Sequence, residues 1–171
     1  KGVQILTPHD KAKYFTGENL IREAVSKLGY EIYFDYNHDA TVKNPVLSFL
    51  KTARYCVRAD ISSCFPSIYS HALAWAIAGK EEAKKHIGDD SFWYNRLDKY
   101  TRGVKYGETN GLIIGPHVSN LLSELILVVV DRNLSMAGYK FTRHIDDYEC
   151  YVETREKADA FMYDLTDELR K

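Results

Sequence analysis

A chain of 171 residues that is 45% hydrophobic and 27% charged can bury one globular core and is too apolar to be a disordered segment. Its net charge of −1 gives no global basic signature, so any nucleic-acid surface must be a local patch. Three scattered cysteines, Cys56, Cys64 and Cys150, are odd in number and lack metal-ligand spacing, which points to a reducing, cytoplasmic setting rather than a disulfide framework. The longest apolar run, 121–130, is interrupted by Ser123 and Glu124 and is too short to span a bilayer, so no membrane partner is expected. No signal segment is visible in a chain that opens at Lys1 without methionine.

In chain order, Leu20, Ile21, Ala24, Val25 and Leu28 fall on one face of a helix, with Thr16 as its cap and Gly29 as its stop. Asn44 and Pro45 open a short helix carrying Val46, Phe49 and Leu50, and residues 55–61 are compatible with a strand. A helix over about 70–85 is apolar early and basic late, and another over 90–102 carries Phe92, Trp93, Leu97 and Tyr100. Pro116 stands near the start of a long helix whose apolar positions include Val118, Leu121, Leu122, Leu125, Val128 and Val129.

A hairpin follows, with strands over 139–143 and 148–152 and Asp146 and Asp147 in its turn. Tyr148, Cys150 and Val152 alternate with Glu149, Tyr151 and Glu153, Tyr151 breaking the polar face. Thr154 caps a last helix with Ala158, Phe161, Met162, Leu165 and Leu169 on one face. Strands and helices mix without regular alternation, and no linker divides them, so the expected class is α+β in one unit.

Three segments carry candidate chemistry. His144, Ile145, Asp146 and Asp147 put adjacent carboxylates at a hairpin tip, where they repel each other unless a divalent cation keeps both ionised. Taken alone, the pair reads first as an acidic hairpin tip, since Asp is common in turns. Asp60 ends the strand and is followed by Ile61, Ser62, Ser63, Cys64, Phe65 and Pro66. A strand-borne Asp near such a pair would suit a two-metal phosphoryl-transfer site, whose hard cations take oxygen ligands. The third segment runs from Asn110 and Gly111 through Ile113, Ile114, Gly115 and Pro116 into the long helix. Its glycines permit close backbone approach to a ligand, although taken alone the segment reads by default as a flexible turn before a core helix.

Elsewhere, Lys80, Lys84, Lys85, Arg96, Lys99, Arg102 and Lys105 could track phosphates. The interleaved Glu81, Glu82 and Asp98 make a solvated face the default. His38, His71, His86 and His117 lack zinc spacing and read as structural or surface residues. Most of the thirteen tyrosines read as core or rim aromatics.

Taken together and in order, the three segments resemble the reverse transcriptase family of RNA-directed DNA polymerases. The segment D-I-S-S-C-F-P-S-I at 60–68 is similar to the family's first palm motif, N-G-L-I-I-G-P-H-V-S-N at 110–120 to its second, and H-I-D-D at 144–147 to its third. The resemblance implies that Asp60 and Asp146, with Asp147 alongside, hold two Mg²⁺ ions, Mn²⁺ being the alternative, and that the Ile61 carbonyl completes a coordination sphere. It further implies that the amides of Ser62, Ser63, Cys64 and Phe65 face a dNTP triphosphate. In the same way Phe65 would screen out the ribose 2′-OH, and Asn110 with Gly111 would shape the base-pair pocket.

The implied partners are dNTPs, an RNA template and a DNA product or primer, with room for a partner subunit or a non-coding RNA. The implied fold is a polymerase palm, an antiparallel sheet with helices on one face, over 55–69 and 109–171. Fingers-like elements would occupy 1–54 and 70–108, and the chain would be a fragment ending before the thumb.

Departures from the family pattern are Asn110 for the usual Gln, His144 for the usual Tyr, and the apolar Ile113 and Ile114. The spacing Gly115-Pro116-x-x-Ser119 and the run Asp146-Asp147-Tyr148-Glu149 look most like bacterial enzymes of the abortive-infection and phage-defence type. Two other classes stand beside this reading: a polymerase-derived nucleic-acid-binding scaffold that makes no product, and a metal-dependent nuclease.

Overall fold

A computed structural model of the chain describes residues 2–5, 26–27, 31–34 and 49–171. The helix expected at 20–28 and the start of the one at Asn44 lie outside these residues, apart from Ser26 and Lys27, which are helical. Strand β1 (Gly2–Ile5) pairs in parallel with β2 (Glu31–Phe34), two strands that the local sequence pattern did not announce.

The described remainder is α+β: one three-stranded antiparallel sheet and six helices. Strand β3 (Tyr55–Asp60) is followed by helices α1 (Cys64–Ser67), α2 (Ala72–Ala78), α3 (Lys80–Lys85), α4 (Trp93–Gly103) and α5 (His117–Met136). Then come β4 (Phe141–His144), β5 (Asp147–Val152) and α6 (Arg155–Glu168). Strand order is β3-β5-β4, which places the hairpin's second strand in the centre of the sheet.

Strand alternation divides the sheet into two chemically different faces. Val57, Ala59, Phe141, Tyr148, Cys150 and Val152 point to one side, where they pack with Val130 and Leu134 of α5 and Phe161 and Leu165 of α6. The other side carries Arg58, Asp60, Thr142, His144, Asp147 and Glu149 and stays open. Tyr151, which broke the polar pattern in the sequence, is buried and lies against Phe49, with ring centroids 5.9 Å apart.

Helix α5 joins two cores. Its first half sets Leu121, Leu122, Leu125 and Val128 against Leu73 and Leu112, and its second half meets the sheet. Pro116, extended at φ −65° and ψ 137°, caps its start, which suits a residue with no N–H to satisfy. Gly138, at φ +89°, ends it in a Schellman arrangement: Tyr139 N–H donates to the Leu134 carbonyl at 3.2 Å and Gly138 N–H to Ser135 at 3.0 Å. That stop aims the chain into β4.

Four expectations need correction. The single helix at 70–85 is two, because Gly79 takes φ 85° and ψ 146° between α2 and α3. Helix α4 begins at Trp93 rather than 90, since the Asp89 side chain accepts the Ser91 N–H at 2.9 Å and holds a turn there. Asp147 is not in the hairpin turn but is the first residue of β5. Val118, Met162 and Leu169 are exposed although they share the apolar periodicity of their helices. Among the described residues no helix is long and apolar enough to cross a membrane.

Candidate active site

Asp60, the last residue of β3, lies directly across from Asp147, the first of β5, and Asp147 in turn faces His144 at the end of β4. Ile145 and Asp146 form the two-residue turn between them. Like charges directly opposed in a sheet destabilise it, and Asp146 adds a third carboxylate to the same end. Arg58, on the same face of the sheet, brings little relief, because its guanidinium is paired with Glu149 at 2.9 Å. Asp60 and Asp147 border an open cleft of about 550 Å³ on the polar face of the sheet, lined also by Arg58, His144 and Glu149, while Asp146 stands in the turn at its end.

The segment after Asp60 is tied both to the hairpin and to the Asn110–Gly111 loop. Ile61 N–H donates to the Asp146 carbonyl at 3.1 Å, closing the end of β3 onto the turn. Ser62 is exposed, and Ser63 takes the left-handed conformation, φ 54°, and leads into the single turn of α1. Cys64 is buried, and burial first, then the nearby charge of Asp146, pushes its thiol up to about 11. Asp60 and Glu124 push that thiol the same way, and Arg143 opposes them.

Phe65 is half-buried against the Leu73–Leu112 core, and its carbonyl accepts the Leu112 N–H at 2.8 Å. Gly111 N–H donates to the Ile68 carbonyl at 2.7 Å, Ser70 N–H to Thr109 at 2.8 Å, and Tyr69 bridges to Asn110. Gly111 sits at φ +82°, where a Cβ would lie 2.9 Å from the Pro66 carbonyl oxygen. Only glycine fits both conditions. Asn110 stays exposed, and its carbonyl accepts from Lys105. The three segments singled out in the sequence thus form one continuous, backbone-bonded surface.

One set of residues was not foreseen. Arg143, on the buried side of β4, has a side chain only 4% exposed, as is that of Glu124. Its Nη1 and Nη2 donate to Glu124 at 2.7 and 2.8 Å, its Nε and Nη2 to Asp131 at 3.0 and 2.7 Å, and Nη1 also to the Ile145 carbonyl at 2.7 Å. Tyr148 donates to Asp131 at 2.9 Å. Burial alone would lower the Arg143 pKa, but Glu124 and Asp131 outweigh it and raise it. Burial and the charge of Asp131 raise the Tyr148 phenol. The signal for this cluster was present in the sequence: Glu124 and Asp131 lie two turns apart within the apolar stretch of α5, where unpaired acids are not tolerated.

The basic row over 80–105 is an ion-paired surface. Lys84 meets Glu81 at 3.6 Å, Lys85 meets Glu82 at 3.1 Å, Arg102 meets Asp98 at 3.4 Å, and Lys99 pairs with Asp90. His71 is bonded to the buried Asp98 at 2.7 Å and His86 to Glu82 at 3.1 Å, in keeping with structural roles. No protein-family model matches the chain, and no curated protein matches it.

Among the described residues no three His, Cys, Asp or Glu side chains close into a metal cage on their own. The donor set at the strand ends is nevertheless of the right kind for Mg²⁺. That ion binds hard oxygens and completes its shell with water and substrate phosphates rather than within an all-protein cage.

Proposed function

We propose that this chain carries the palm motifs of a reverse transcriptase-like nucleotidyltransferase. It would add dNTPs to a primer 3′-OH opposite an RNA template. The observation that carries the reading is the meeting of three separate segments: Asp60 in register with Asp147, the following loop bonded to the Asp146 carbonyl, and the Asn110–Gly111 loop bonded to that same loop. A nuclease has no need of the Asn110–Gly111 segment, and a scaffold that makes no product has no need to keep the carboxylates clustered. The biological setting, bacterial antiviral defence, rests on the spacing after the second and third motifs.

In this reading Asp60, Asp146 and Asp147 hold two Mg²⁺ ions, with the Ile61 carbonyl as a further donor. When bound, the ions would lower the pKa of the primer hydroxyl and neutralise the departing pyrophosphate. The chain's own part is placement. Asp60 and Asp147 project from paired strand ends, so their carboxylates keep a fixed spacing, and Asp146 is fixed by the turn. The amides of Ser62, Ser63, Cys64 and Phe65 receive the triphosphate. The Phe65 ring, backed by the Leu73–Leu112 core, would screen out the ribose 2′-OH. The exposed Asn110 and the buried Gly111 shape the base-pair pocket.

Primer extension with the full-length protein tests the proposal. Asp60→Ala and Asp146→Asn are expected to abolish dNTP incorporation while circular dichroism and melting stay close to those of the parent. Synthesis that survives either change rejects it. Nucleic acid degraded by metal without dNTPs would favour a nuclease, and binding with neither activity would favour a scaffold.

A further inference from the structure

The turn that carries Asp146 contains a conformational anomaly. Ile145 has φ +57°, a left-handed backbone that β-branched side chains rarely adopt, and in a two-residue turn it decides where the next residue points. Such a conformation persists only when its surroundings over-determine it. Here the two-residue turn, closed by the His144–Asp147 pair and by the Ile61 N–H bond to the Asp146 carbonyl, requires it, and one side chain grips the turn from the buried side. Every N–H of the Arg143 guanidinium is engaged: Nε with Asp131, Nη2 with Asp131 and Glu124, and Nη1 with Glu124 and the Ile145 carbonyl. Glu124 and Asp131 lie on α5, which is anchored in both cores. Tyr148, the residue after Asp147, is drawn into the same network through Asp131.

We infer that Arg143 is a positioning residue for the hairpin tip, holding Ile145 in its left-handed conformation by its carbonyl and thereby aiming Asp146 toward Asp60. The inference rests on the metal-site reading of those carboxylates. Lysine would keep the charge, but its single ammonium cannot reproduce a planar fork that reaches two carboxylates and a carbonyl at once.

The test uses the full-length protein with Mn²⁺ alone as the probe, bound ion being followed by loss of the free-ion electron paramagnetic resonance signal. Backbone NMR of Ile145 and Asp146 reports the turn. In Arg143→Lys the turn signals are expected to shift or broaden while those of the central sheet hold, and Mn²⁺ affinity to fall about tenfold or more.

Adding Ile145→Asn, a residue that tolerates the left-handed region, is expected to restore both readouts, which a general loss of packing would not allow. Unchanged turn signals and Mn²⁺ affinity in Arg143→Lys overturn the inference, as does failure of Ile145→Asn to restore them. If Arg143→Lys does not fold, Arg143→Met with Glu124→Leu and Asp131→Leu replaces it. Apolar substitution of a buried ion cluster is commonly tolerated, and the same two readouts apply. Native turn signals in a parent protein that incorporates no dNTP would count against the polymerase reading, while the turn readout would still decide the role of Arg143.

Discussion

Gly111 is the residue whose replacement has the clearest consequence for stability. Its φ of +82° and the 2.9 Å separation a Cβ would have from the Pro66 oxygen act together, and that oxygen is backbone that cannot swing aside. Gly111→Ala is expected to cost about 1–3 kcal/mol, from backbone strain alone. It would lower the melting temperature by about 2–4 °C for each kcal/mol. An unchanged melting curve would show that the Asn110–Gly111 loop is not bonded to the 60–68 segment as described.

Phe65 is a functional residue on the proposed reading, and its backbone is pinned by Leu112 while its ring is only half-buried. Phe65→Val is therefore expected to leave the loop in place and to narrow the preference for dNTP over rNTP by about ten- to hundredfold, the worth of one well-placed steric contact. Competitive incorporation in a primer-extension assay measures it. Unchanged exclusion of rNTPs would remove Phe65 from sugar selection.

Among the elements, those with their own start and stop signals match the sequence pattern best. Helix α6 runs from Arg155 to Glu168 behind Thr154, whose side chain accepts the Lys157 N–H at 3.3 Å. Thr154→Ala is expected to destabilise the protein by about 1 kcal/mol, read as a lower urea midpoint with an unchanged slope. Helix α5 is bounded in the same explicit way by Pro116 and Gly138.

Two of the failures have equally local causes, and the third does not. Gly79 divides α2 from α3 without disturbing the hydrophobic period, so apolar spacing alone reads through the break. Asp89 delays α4 by offering its own turn bond. Strands β1 and β2 are stabilised by pairing with each other across a long connection, which no local pattern reports.

At the scale of the molecule, burial of proton-bearing groups ties stability to alkaline pH. In the folded protein burial pushes the Cys64 thiol up to about 11 and the Cys150 thiol up to about 12, and the Tyr148 phenol is raised as well. In the unfolded chain thiols lose their protons near 9.0 and phenols near 10.0. Above that range the unfolded state binds fewer protons than the folded one, so stability falls as pH rises. Unfolding free energy is therefore expected to be insensitive to these groups below about pH 8 and to decline from about pH 9 upward. Chemical denaturation at a series of pH values checks this. A flat profile between pH 8 and 11 would show that these side chains exchange with solvent in the folded state.

The sequence by itself determined the α+β class, the long helix and its start, the hairpin, and the three segments that bear candidate chemistry. Each of these is written in residues close together along the chain: caps, periodicity, adjacent charges. Tertiary structure alone decided that Asp60 faces Asp147, that Gly111 packs on Pro66, and that Arg143 reaches back to Glu124 and Asp131 on α5. Register between strands and the pairing of buried charges depend on which apolar surfaces find each other across the core. That choice is made by the whole chain, and no single stretch of it carries the information.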